Sequence, residues 1–187
     1  MNIDAVKPQH LYLTGYRGCG KSTLAKLLAQ RLSLPVVDLD DVIESTAEKT
    51  IAEIFAAESE SGFRDREEAA LVEVAQRPTH VIALGGGTIL REANRKLIAH
   101  SGWCVWLDAE PEILMARLAG DETTADRRPS LTDQSVFDEV QMVMTNREPL
   151  YRESADLRID TSHQTMDEIV SEVLKACPSS IGQVKPS

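Results

Sequence analysis

An α/β fold of three layers, with helices on both faces of a five-stranded parallel sheet, is what this sequence predicts, on three observations. Short apolar runs alternate with longer amphipathic ones along most of the chain, the pattern of repeated βα units. One junction, "LYLTGYRGCGKSTL", places an apolar run, a glycine-rich turn and an amphipathic helix in immediate succession. Finally, 187 residues with 42% hydrophobic and 27% charged side chains suit one domain with a full-sized core. The expected domain spans residues 1–177, with a mobile lid at about 120–133 and a flexible tail at 178–187.

Strands are expected at 10–14, 35–38, 80–84, 104–108 and 157–160, each a short apolar run. Helices are expected at 21–32, 41–47, 51–58, 62–76, 92–100, 111–119, 135–150 and 166–177. Thr50 with Glu53, and Thr165 with Glu168, have capping-box spacing and support two of these starts. Ala69, Leu71, Val72, Val74 and Ala75 form an apolar stripe on the long middle helix, as a core-facing surface requires. The stretch "GDETTADRRPSLTD" has neither a helical nor a strand period, and a polar loop of that length with two arginines suits a lid.

The totals exclude several classes. A net charge of -10 and a pI near 4.9 argue against a nucleic-acid surface, which needs a basic face. Cys19, Cys104 and Cys177 show no CxxC pair and no metal-ligand spacing with the four histidines, which fits a reducing compartment. The N-terminal stretch lacks the apolar segment of a signal peptide, and no run is long enough to span a membrane. Any anionic ligand must therefore be held by a few clustered cations, and arginines outnumber lysines 13 to 7.

The strongest local signal is GxxxxGKS at Gly15, Gly20, Lys21 and Ser22, with a strand before it and a helix after it. Backbone N–H groups from Gly18, Cys19 and Gly20 through Thr23 can wrap phosphates at a helix N-terminus. Lys21 supplies positive charge at the β- and γ-phosphates, and the Ser22 hydroxyl can ligate Mg²⁺. A phosphate loop alone does not name a reaction. The chain has no NKxD or DxxG segment and is short for a motor, which leaves a kinase acting on a small acceptor. Its acceptor should lie across the carboxyl ends of the strands.

Three further stretches reach that edge. "VVDLDD" carries Asp38 and Asp40, placed on one side by strand alternation, with helix capping as the competing role for one of the acids. "SGFRDREEAAL" carries Phe63 and Arg64, with Glu67 or Glu68 in reach of the arginine; an exposed ion pair is the competing role. "VIALGGGTIL" ends an apolar run on Gly85, Gly86 and Gly87, more glycine than a tight turn needs. A backbone stripped of side chains suits close contact with a small polar ligand, and Gly86→Ala is expected to damage acceptor binding more than ATP binding.

In this order the motifs resemble those of the shikimate kinases, in the nucleoside-monophosphate-kinase-like branch of phosphate-loop enzymes. The resemblance runs from about residue 10 to about 161 and includes GxxGxGKS, DxD, FRxxE, GGG, Arg128 before Pro129, and "REPLYRESADLRIDT" from Arg147. It implies transfer of the ATP γ-phosphoryl group to the 3-hydroxyl of shikimate, a step of aromatic amino acid biosynthesis, with ATP and Mg²⁺ as cofactors. By the same resemblance Asp40 contacts ring hydroxyls and is the base, and Asp38 with Ser22 serves Mg²⁺. Arg64 and Arg147 clamp the substrate carboxylate beside Phe63, Gly85, Gly86 and Gly87. Lys21 and lid Arg128 stabilise the transferring charge, and Arg117 lies against adenine.

Two departures stand out: Arg127 offers a second lid guanidinium, and the third strand lacks a Walker B aspartate. The expected protein is a cytoplasmic monomer whose partner is the small substrate, with neither nucleic acid nor membrane bound. The alternatives are another small-acceptor kinase of this fold, such as a gluconate or nucleotide monophosphate kinase, and a non-catalytic nucleotide-binding regulator.

Overall fold

The structure is a computed structural model, and residues 9–120 and 136–182 are described. Five parallel strands form one sheet in the order β2-β3-β1-β4-β5: β1 (His10–Thr14), β2 (Val36–Asp38), β3 (Val81–Ala83), β4 (Gly102–Asp108) and β5 (Leu157–Asp160). Leu13 of β1 lies in register with Ala83 on one side and Val105 on the other. The chain leaves β1 toward β2 and later crosses to β4 on the opposite side. The carboxyl end of β1 therefore sits where the winding changes direction, the place where open α/β sheets form a ligand crevice.

The helices are α1 (Lys21–Leu32), α2 (Leu39–Ala47), α3 (Ile51–Val74), α4 (Glu92–Ser101), α5 (Pro111–Ala119), α6 (Val136–Ser154) and α7 (Met166–Ala176). A 3-10 turn (Thr88–Leu90) precedes α4. Period-two alternation along the strands sorts the core into two layers. Leu11, Leu13, Val105 and Leu107 meet Leu24 and Leu28 of α1 and Ile169 and Val173 of α7 on one face. Tyr12, Ile82, Cys104 and Trp106 meet Ile43, Phe63, Leu71, Ile98 and Tyr151 on the other. Each fully buried leucine of this kind contributes about 2 kcal/mol by leaving water. Both capping boxes form, at Thr50 with Glu53 and at Thr165 with Glu168.

Besides shifts of one or two residues at other ends, such as β4 beginning at Gly102 and α3 ending at Val74, four features differ from expectation. Helix α2 begins at Leu39, two residues early, because Asp38 itself is the N-cap and accepts from the Asp40 N–H at 3.1 Å. Strand alternation therefore does not place Asp40; the first turn of a helix does. The expected gap between the two middle helices contracts to a kink at Ser59, with φ 62° and ψ -177° inside α3. Helix α6 continues through Pro149 to Ser154, where burial of Tyr151 outweighs the backbone hydrogen bond a proline cannot donate. In the expected tail, Ile181 is only 4% exposed and joins the core, while residues 183–187 lie outside the described residues. Among the described residues no helix is long and apolar enough to cross a membrane.

Candidate active site

The phosphate loop leaves β1 through three glycines of positive φ: Gly15 at 140°, Gly18 at 79° and Gly20 at 92°. Space is as limiting as conformation at Gly15, where a Cβ would come within 2.3 Å of the Leu107 carbonyl oxygen. Gly20 is the N-cap of α1, contributes no side-chain cap, and no acidic residue stands in the first turn. The positive end of the helix is thereby left to an anion. Lys21 Nζ donates to the carbonyls of Gly15 and Tyr16, both at 2.9 Å, so the ammonium is held against the loop it belongs to.

Across from the loop, the Ser22 hydroxyl donates to Asp38 Oδ2 at 2.6 Å. Burial raises the Asp38 pKa, the Ser22 bond opposes this, and the nearby Asp40 and Asp41 carboxylates add to the rise. A carboxylate desolvated among like charges, beside a hydroxyl, is a donor set suited to a hard cation that keeps most of its own waters. Among the described residues no group of three or more His, Cys, Asp or Glu is arranged to hold a metal.

The glycine triplet lies at the centre of a charged cluster. All three glycines are buried and none has positive φ. A Cβ on Gly85 would sit 2.7 Å from Glu67 Oε1 and 3.0 Å from Asp40 Oδ1. One on Gly87 would sit 2.5 Å from both terminal nitrogens of Arg64. One on Gly86 would lie 3.3 Å from the Gly15 carbonyl oxygen, against the phosphate loop. The triplet thus divides: Gly85 and Gly87 make room for acceptor-side charges, whereas Gly86 makes room for the loop. Gly86→Ala is therefore expected to disturb both sites, not the acceptor site alone.

Arg64 is held from behind. Its Nη1 donates to Glu67 Oε2 at 2.6 Å, and Glu67, fully buried, also accepts from the Thr88 hydroxyl at 2.7 Å. Of the two acids in question it is Glu67 that supports the arginine, since Glu68 instead pairs with Arg91 at 2.8 Å; the exposed Glu60 also accepts from Arg64 Nη2 at 3.2 Å. The Arg64 Nε is buried and has no hydrogen-bond partner among the described residues, a donor in want of an acceptor. Phe63 is 0% exposed, stacked on Phe55 with centroids 4.6 Å apart, and lies under the Arg64 guanidinium at 5.2 Å. From there it backs the arginine; it does not line an open surface.

Arg147, on α6, donates to the Gly86 carbonyl at 3.0 Å. The Tyr151 hydroxyl donates to the same oxygen at 2.6 Å. Sequence reasoning did not single out Tyr151 or Thr88: Tyr151 stands one helical turn after Arg147, but Pro149 between them ordinarily ends a helix. Arg117 donates to the side chain and carbonyl of Thr161, at 3.0 and 2.6 Å, and so joins α5 to the segment after β5. Arg127 and Arg128, with most of the expected lid, lie outside the described residues.

The family model described as "Shikimate kinase" matches residues 17–178. A shikimate kinase of Rhodopirellula baltica is 84% identical over 183 residues, covering 98% of each chain. One of Symbiobacterium thermophilum is 39% identical over 166 residues, covering 89% of this chain and 94% of its own. Among solved structures, a shikimate kinase from Acinetobacter baumannii in complex with shikimate is 33% identical with a TM-score of 0.82. That match covers 90% of this chain and 92% of the other.

Proposed function

The chain belongs to the shikimate kinase family, and from that premise we propose that it transfers the γ-phosphoryl group of ATP to the 3-hydroxyl of shikimate. One observation carries the reading above the others. At the glycine triplet, the phosphate loop, the Asp40 carboxylate and the Arg64 guanidinium all converge on one stretch of bare backbone. A carboxylate-bearing polyol seated there lies between two arginines and directly across from the γ-phosphate position.

Each role follows from the chemistry. The guanidiniums of Arg64 and Arg147 bind the shikimate carboxylate as planar forks. Asp40 accepts the proton of the attacking hydroxyl as its oxygen bonds to the γ-phosphorus. The bond from that phosphorus to the β,γ-bridging oxygen breaks, leaving shikimate 3-phosphate and ADP. Lys21 and the backbone N–H groups at the start of α1 hold the phosphate oxygens and stabilise the charge that spreads over them. Arg128 is assigned the same electrostatic role by the family resemblance, and Arg117, bonded to Thr161, is assigned to the adenine. Ser22 and Asp38 would hold Mg²⁺, which would supply neutralisation of phosphate charge. A monomer in the cytoplasm is the state in which we propose that the chain works.

Coupled measurement of ADP release tests the proposal, with MgATP and shikimate, gluconate or nucleoside monophosphates offered separately. ADP release with shikimate alone is the expected result. Release only with gluconate or a nucleotide would assign a different acceptor, and release with none would leave a nucleotide-binding regulator.

A further inference from the structure

A cavity of about 300 Å³ lies behind the phosphate loop, between the carboxyl ends of β4 and β5, the start of α5 and the middle of α6. Cys19 of the loop and Tyr151 contribute to its wall, but none of Lys21, Ser22, Asp38, Asp40, Arg64, Arg117 or Arg147 lines it. Its volume is at the lower end of the range for small-molecule sites. The apolar part of the wall comes from Trp106, Leu114 and Met144. Its charged part is acidic: Asp108, Glu110, Glu148 and Asp160 against the single cation Arg158. That cation is already committed, bonded to Asp108 through two nitrogens and lying 4.8 Å over the Trp106 ring. The acid least engaged is Glu110, whose side-chain ion-pair partner among the described residues is an exposed histidine, His163, at 3.6 Å.

A second observation, independent of the acids, points to an occupant. Tyr16 forms part of the wall and is 4% exposed, and its hydroxyl has no hydrogen-bond partner among the described residues. A buried hydroxyl in that condition calls for a polar group in the space it faces. Both substrates of the proposed reaction are anions and are repelled by this lining. We propose that the cavity is a second ligand site, for a small organic cation that carries an ammonium group on an aromatic or aliphatic body. The ammonium satisfies the Tyr16 hydroxyl and faces the carboxylates, and the body packs on Trp106, Leu114 and Met144. The proposal goes beyond the kinase reading and does not depend on it.

The test pairs two probes of one shape and opposite charge, tryptamine and indole-3-propionate, titrated against the full chain by ligand-observed NMR. Tryptamine is expected to bind at least about tenfold more tightly, the discrimination one net charge supplies in a partly desolvated site. A non-hydrolysable ATP analogue and shikimate, together at saturation, should leave it bound. Thr145→Trp, at an exposed wall position, should block the cavity and abolish binding while the circular dichroism spectrum is unchanged. Should that variant misfold, Glu110→Gln serves instead and should reduce the preference for the amine several-fold. Equal affinity for the two probes, no binding of tryptamine, its displacement by the substrates, or full binding by the folded variants would each overturn the proposal.

Discussion

Gly15, Gly18 and Gly20 have positive φ, whereas Gly85, Gly86 and Gly87 have none, although both clusters border one crevice. In the phosphate loop, glycine supplies a backbone conformation that L side chains rarely adopt, so that N–H groups turn inward. In the triplet the backbone is ordinary and the need is for vacancy. Carboxylates of Glu67 and Asp40 and the guanidinium of Arg64 occupy the space where side chains would stand. The nucleotide side therefore depends on local chain geometry, and the acceptor side on side chains delivered from α2, α3 and α6.

The largest effect that tests this division is Lys21→Ala. Loss of the ammonium should lower kcat by about 10²–10³-fold, with thermal unfolding little changed, because it removes charge stabilisation at the transferring group. A kcat near that of the parent would remove the phosphate loop from the chemistry.

The two glycine clusters are separated next by a matched pair. Gly15→Ala combines a φ of 140° with overlap of the Leu107 backbone, and should cost at least about 3 kcal/mol of stability in denaturant unfolding. Gly87→Ala has an ordinary φ but overlaps the Arg64 guanidinium, which is bonded to buried Glu67, so the acceptor KM should rise about tenfold with a stability loss smaller than that of Gly15→Ala. The opposite pattern would reverse the roles assigned to the clusters.

The smallest effects sharpen the acceptor side. Arg147→Ala removes a charged hydrogen-bonding group worth about 1.5–3 kcal/mol, and should raise the acceptor KM by one to two orders of magnitude with kcat less affected. Tyr151→Phe removes one neutral bond to the Gly86 carbonyl and leaves that of Arg147. An acceptor KM raised about three- to tenfold, with kcat and the ATP KM within about twofold, marks Tyr151 as a positioning residue. A general loss of both substrates would instead indicate a purely structural role.

Much of this was legible before any coordinates. The strand-loop-helix unit, both capping boxes and the five-strand order of elements are written in neighbouring residues, because dihedral preference and capping act within a few positions. Asp38 and Asp40 were rightly grouped, but for a reason that failed: Asp38 caps α2, and that cap sets Asp40. Glu67 and Glu68 could not be separated, since each lies within reach of Arg64 on a helix; only the burial of one face chose Glu67. Tyr151 was hidden by Pro149, whose usual meaning is the end of a helix. Ile181 looked like tail because nothing local reveals the core surface that receives it.

By itself, then, the sequence determined the phosphate loop, the parallel α/β plan and the residue types that reach the crevice. Tertiary structure alone decided that Gly86 faces the phosphate loop while Gly85 and Gly87 face the acceptor charges. It also decided that Tyr151 shares a carbonyl with Arg147, and that an acidic cavity lies behind the loop. Loops and caps follow from interactions a few residues long. Vacancy, burial and shared acceptors depend on segments some sixty residues apart, which meet only when the sheet closes its crevice.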